Sequence, residues 1–198
     1  MTFDKYFFFI VVLLQFGCDH NSSLSTNEDS SVSLPIVAED SLTLVPELGL
    51  VLYKDQPFSG TSISYFSNRV KARTIDYLAG KKHGYYRKWF ESGQLSFESA
   101  YTHGKKHGVT KSWWANGNVR SASNFEHGVA QGLQLQWYKS GAIFKRMQLV
   151  DGREEGLQRA WRENGKLYNN YQAKNGRIFG LKRANLCYEL DGENIVLE

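Results

Sequence analysis

The sequence predicts an all-β fold, an elongated single-layer antiparallel meander of hairpin repeats, and three observations predict it. Glycine returns every 24 residues at Gly80, Gly104, Gly128, Gly152 and Gly176, and a second series follows four places on at Gly84, Gly108, Gly132, Gly156 and Gly180. Tryptophan stands five places after the second glycine in four consecutive units, at Trp89, Trp113, Trp137 and Trp161, with Tyr65 in the register before them. Each unit holds two short extended runs divided by glycine turns about every 12 residues, and no long stretch keeps a 3.6-residue period. About six such units, at two strands each and ~4.8 Å between strands, would make a sheet roughly 55 Å long.

Residues 1–18 read as an export signal. Lys5 supplies a positive start and Phe7 to Phe16 is apolar apart from Gln15. That run is too short for a span of roughly 20 residues but suits a signal-peptide core. Gly17-Cys18 at its end resembles a bacterial lipobox, in which Cys18 would carry the lipid, although Gln15 stands where such a motif usually has leucine. The expected protein is therefore an exported lipoprotein of a bacterial cell envelope, anchored by its acyl chain. The other cysteine, Cys187, lies between Leu186 and Tyr188 and reads as a small buried residue.

Residues 19–47 are rich in Ser, Thr, Asn, Asp and Glu, a composition that buries too little to fold alone, and they read as a disordered acidic tether. As a flexible chain it would hold the rest on the order of 30 Å from its anchor. The repeat array occupies residues 48–183. A C-terminal cap or tail, 184–198, is expected to close its end.

Within the template unit, Tyr85 to Phe90 is one run, Glu91-Ser92-Gly93-Gln94 a turn, and Leu95 to Tyr101 the second run. Thr102 to Lys106 turns back, and Gly108 opens the next unit. Alternation places Tyr85, Arg87 and Trp89 on one face, with Val109, Lys111 and Trp113, then Leu133, Leu135 and Trp137, then Leu157, Arg159 and Trp161 in the following units. Leu95, Val119, Ile143 and Leu167 share a second position, and Tyr101, Phe125 and Leu149 a third. The expected core is these ladders, with Trp89, Trp113, Trp137, Trp161 and the glycines Gly84, Gly108, Gly132 and Gly156 as its frame. The face of Lys88, Ser112 and Gln136 is expected to be the polar one.

Units of the form Gly-Lys-Lys-His-Gly…Trp-Phe-Glu-Ser-Gly-Gln-Leu…Tyr resemble MORN repeats in their bacterial variant form. Trp114-Ala115-Asn116-Gly117-Asn118-Val119 and Trp161-Arg162-Glu163-Asn164-Gly165-Lys166-Leu167 carry that resemblance most closely. With its lipoprotein-like leader, the chain also looks like the group labelled toxin–antitoxin system YwqK-family antitoxins. The resemblance implies a scaffold that associates with membranes or proteins; the antitoxin label implies, as an alternative, neutralisation of a partner toxin by direct contact. The ends depart from the repeat: Asn68-Arg69 replaces the mid-unit glycine of the first unit, and Asn185 replaces the tryptophan of the last.

No catalytic constellation is legible, and the protein is expected not to be an enzyme and to need no cofactor. His83, His103, His107 and His127 fall in inter-unit turns expected to lie roughly 10 Å apart, too far for the ~2.0–2.1 Å bonds of a shared metal. Glu91, Glu154, Glu155 and Glu163 lie in turns, and neither Gly-x-Ser-x-Gly nor a phosphate-cradling Gly-x-x-x-x-Gly-Lys-Ser/Thr occurs. Charge is the remaining signal. Residues 56–189 carry 22 Lys/Arg against nine Asp/Glu, whereas 19–55 carry seven acids and one lysine. Lys81, Lys82, Lys105, Lys106 and Arg153 recur in one register and form the candidate binding edge. They suit an acidic protein partner or anionic lipid, or serve only to keep the sheet periphery soluble. Nucleic acid is not expected for an exported protein.

Overall fold

The computed structural model describes residues 34–181. The sequence expectations for the leader, Cys18, Cys187 and the cap 184–198 lie outside those residues. Three strands come first: β1 (Ile36–Ala38), β2 (Leu42–Val45) and β3 (Leu50–Tyr53), with a 3-10 turn Glu39–Ser41 between the first two. Then follow β4 (Gln56–Pro57), β5 (Gly60–Tyr65), β6 (Lys71–Leu78), β7 (Lys81–Trp89), β8 (Leu95–Thr102), β9 (Lys105–Trp113) and β10 (Val119–Glu126). The chain continues through β11 (Val129–Trp137), β12 (Ile143–Val150), β13 (Arg153–Glu154), β14 (Gly156–Trp161), β15 (Leu167–Lys174) and β16 (Arg177–Leu181). From β5 to β16 the strands pair antiparallel in sequence order, except that β12 pairs with both the short β13 and β14; β1 joins by parallel pairing with β5, giving an open 13-stranded sheet. Strands β2, β3 and β4 form a separate three-stranded sheet. The fold is thus the expected single-layer meander of hairpins, of MORN type. One boundary moves: β1, the 3-10 turn and β2 fall within the stretch expected to be disordered tether.

Two kinds of turn alternate. One is a two-residue hairpin with both residues at positive φ, such as His103 (49°) and Gly104 (82°), the type I′ geometry that matches strand twist. It is shorter than the turn expected from Thr102 to Lys106. Lys105 to Trp113 is one continuous strand, with Gly108 inside it. The other turn closes on Phe90, whose N–H donates to Gln94 and whose carbonyl accepts from Gly93. Arg69 takes that glycine's place in the first unit and adopts the same sign of φ, 64°. Asn68 supports it by accepting the Val70 N–H on its side-chain oxygen.

The sheet is not perfectly paired. Ser99 faces Thr110 but Tyr101 faces Lys106, so two extra residues bulge from β9, and the same shift separates Ile75/Tyr86 from Tyr77/Lys82 and Ser123/Gln134 from Phe125/Ala130. The second-series glycines sit at these bulges with positive φ: Gly84 at 100°, Gly108 at 73° and Gly132 at 70°.

The buried side is the one expected to be polar. Ser62, Ser99, Thr110, Gln134 and Gln158 are nearly sealed from solvent, whereas Tyr85, Val109 and Leu157, expected in the core, are among the exposed hydrophobic residues. Period two separates the faces but does not say which face bends inward. Bulges add to the mismatch, because each leaves backbone groups out of the ladder that a buried side chain must satisfy. Gln158 does so: its Nε2 donates to the Gln148 carbonyl at 2.8 Å while its Oε1 accepts the Gln148 N–H at 3.1 Å. Gln134 Nε2 serves the carbonyls of Gln131, Gly132 and Asn124. Ser99 and Thr110 hydroxyls bond each other at 2.6 Å.

Among the described residues, a cluster of buried aromatic and aliphatic side chains gathers at the N-terminal end of the sheet. Phe58, Ile75 and Tyr77 are buried together, with Val37, Leu42, Val51, Tyr53 and Tyr86 packed round them. This is where the three-stranded sheet lies on the larger one, tied by the Val51 N–H to the Gly80 carbonyl at 2.8 Å. Trp89, Trp113, Trp137 and Trp161 are half-buried and stand opposite Leu95, Val119, Ile143 and Leu167 respectively, next to the hairpin ends. Among the described residues no helix is long and apolar enough to cross a membrane.

Candidate binding edge

The type I′ turns all fall at one edge, stacked by two repeating hydrogen bonds. The turn glycine donates its N–H to a carbonyl 22 residues earlier: Gly80 to Phe58, Gly104 to Lys82, Gly128 to Lys106 and Gly152 to Ala130, at 2.8 to 3.0 Å. The residue before the glycine donates to a side chain 20 residues earlier: Ala79 to Ser59, His103 to His83, Asp151 to Gln131 and Asn175 to Glu155. His83 therefore occupies an acceptor position that serine, glutamine and glutamate fill in other units.

This geometry corrects the histidine spacing. His83 and His103 are 5.1 Å apart between ring centroids, and His107 and His127 6.3 Å, because side chains on neighbouring units lean together where backbones are farther apart. Among the described residues, no three His, Cys, Asp or Glu side chains gather as metal ligands.

The lysine pairs straddle the edge. Lys82 and Lys106 are half-buried over an aromatic ladder on the inward face: Lys82 Nζ is 5.1 Å from the Tyr86 ring centre and 5.4 Å from that of Tyr101, and Lys106 Nζ is 4.7 Å from Phe125. Lys81 and Lys105 are exposed, paired across the hairpins with Leu78 and Thr102. The two ion pairs found among the described residues, Arg73–Glu39 and Arg87–Glu98, involve none of these lysines. Other cations act on the ladder: burial pushes the Tyr86 hydroxyl up, but hydrogen bonds and charge from Lys88 and Arg73 outweigh it and leave its pKa below the usual tyrosine value. Burial, with Tyr86 beside it, holds Tyr101 above that value.

Arg153 stands differently. It shares its turn with Asp151 and Glu154 and lines a cavity with Glu155 and Arg177, so the positive row becomes mixed in sign there. The sequence also missed a feature next to the lysines. A cavity of about 430 Å³ opens between the β2–β3 hairpin and the turns at Gly80 and Gly104, lined by Leu44, Leu48, Tyr101, Lys81, Lys82 and Lys105 among others, with no carboxylate in its wall. One residue of its apolar wall, Leu44, lies in the stretch that composition assigns to a linker.

No curated protein sequence matches the chain. Two consecutive units, residues 82–103 and 106–127, match the family described as MORN repeat variant; Lys82 and Lys106 open the two matched segments, and Lys81 and Lys105 stand just before them.

Proposed function

We propose that this protein is a non-catalytic repeat scaffold, tethered to a bacterial membrane through Cys18, which binds an anionic partner along its turn edge. The observation that carries the reading is the row Lys81, Lys82, Lys105 and Lys106, four cations on successive turns and without an ion-paired carboxylate among the described residues. Charges held unpaired along a stacked edge contribute several weak contacts at once, which suits avidity for an extended acidic surface. Sheet peripheries also carry lysine simply to discourage edge pairing, but these residues open strands paired on both sides, β7 and β9, and Lys82 and Lys106 lie over aromatic rings.

The experiment is capture of the full-length, lipidated protein with its associated molecules from its own cell envelope. Parallel preparations would carry Cys18→Ala, or glutamine at all four lysines. The reading expects a stoichiometric protein partner, lost with the glutamine variant and released by salt. Recovery of anionic lipid alone would make the edge a membrane contact, and an unchanged set of molecules in the glutamine variant would remove the edge from function.

A further inference from the structure

The three-stranded sheet ends in a strand with nothing beside it among the described residues: β2 pairs only with β3. The ladder shows which of its groups are open. Val51 gives its N–H to Gly80 and its carbonyl to Phe58, both away from β2. Leu44, which faces Val51 across the ladder, is therefore in a non-hydrogen-bonded pair and turns its own N–H and carbonyl outward. The strand reads Leu42-Thr43-Leu44-Val45, with no charge, glycine or proline, the devices by which open edges are usually blunted. The Leu44 side chain is 62% exposed and that of Leu48, just past the turn, 64%.

The same two leucines form the apolar wall of the 430 Å³ cavity whose other walls include Lys81, Lys82, Lys105 and His103. An unpaired β edge thus runs beside a pocket that is apolar on one side and cationic on the other. We propose that β2 accepts an extended acidic segment of a protein partner as an added strand, with an apolar side chain of that segment resting on Leu44 and Leu48 and its carboxylates meeting Lys81 and Lys105. Main-chain hydrogen bonds would supply the affinity of such an addition and the pocket its specificity. The proposal rests on the scaffold reading above and adds the place and form of the contact.

The test is titration of the full-length protein, in detergent, with three synthetic peptides: one alternating leucine and glutamate, the same peptide with a central proline, and one alternating leucine and lysine. The expected result is saturable, salt-sensitive binding of the first alone. Binding should weaken on the order of tenfold or more, about 1.4 kcal/mol per decade, in Lys81→Glu with Lys105→Glu and separately in Leu44→Lys. Circular dichroism of each variant separates loss of the site from loss of the fold, and Lys145→Glu, outside the cavity, should leave binding unchanged. Equal binding of the proline-broken peptide would overturn strand addition, as would failure of the first peptide to bind. Self-association of the protein that Leu44→Lys abolishes would assign the edge to a second copy instead, and competition by anionic vesicles but not by peptide would assign the pocket to lipid. If envelope capture yields a partner that Leu44→Lys retains but the glutamine variant loses, this inference fails while the scaffold reading stands.

Discussion

The two halves of the large sheet repeat the same register but solve the problem of burial differently. Around β5 to β7 a second sheet covers the inward face, and the buried positions include Phe58, Ile75 and Tyr77, with Ser62 beside them. From β11 to β15 the buried positions include Gln134, Gln158 and Asn170, with Ala160, Tyr171 and Ala173. A covered face can exclude water and reward hydrocarbon; a face lined by bulged backbone rewards side chains that hydrogen-bond to it. The turn edge changes in parallel, from lysine pairs at Lys81 and Lys105 to the mixed charges around Arg153. On the proposed reading the lysine-rich end, with its apolar pocket and open strand, is the receiving end, and the amide-rich end is frame.

The sharpest break in that comparison is Phe58→Ala. Phe58 is 3% exposed and packs its ring 5.9 Å from Tyr53 and 5.8 Å from Tyr77, so truncation should cost about 3–5 kcal/mol by urea unfolding and loosen the small sheet first. Next is Gln158→Leu, which keeps bulk but strands the Gln148 N–H and the bulge carbonyls. A loss of about 1–3 kcal/mol is expected, against less than that if amide bonding there were incidental. Ser99→Ala should cost about 1 kcal/mol, while Ser99→Ala with Thr110→Val should cost less than the sum of the two single changes, since both partners leave together.

Two smaller effects follow. Ala79 holds φ at 47° in the turn position that other units give to His, Asp or Asn. Ala79→Asn should therefore gain up to about 1 kcal/mol, since asparagine tolerates that conformation better. In the frame half, burial and then the hydrogen bond to Glu154 push the Tyr171 hydroxyl well above the usual tyrosine value. A raised folded pKa means the stabilisation is complete below the unfolded value of about 10 and is lost as pH rises beyond it, so Tyr171→Phe should flatten the alkaline limb of a stability–pH curve.

Much of this was legible beforehand, and the failures have physical causes. The 24-residue register, the antiparallel hairpins and the glycine turns follow from Gly93, Gly104 and their equivalents, whose positive φ values of 85° and 82° few other residues reach. Which face is buried was not legible, because alternation carries no sign. The ladders of Tyr85 and Val109 looked like core until the bulges placed Thr110 and Gln134 inside. Strands β1 and β2 escaped notice because short apolar stretches among acids resemble a linker; β1 pairs with the distant β5 and β2 with the adjoining β3. The lysine edge was visible as a spacing; its pocket was not, since Leu44 reaches it from the stretch assigned to the tether and Leu48 from the first residue of the array, before its glycine register begins.

Hydrogen exchange of the full-length protein, with and without saturating leucine–glutamate peptide, tests most directly whether the two halves do different work. Added protection confined to Leu42–Val45 and to Lys81–Lys106 is the predicted result. Protection centred on Val129–Ala173, or spread evenly along the units, would show that binding belongs to the repeats at large and would contradict the division between a receiving end and a frame.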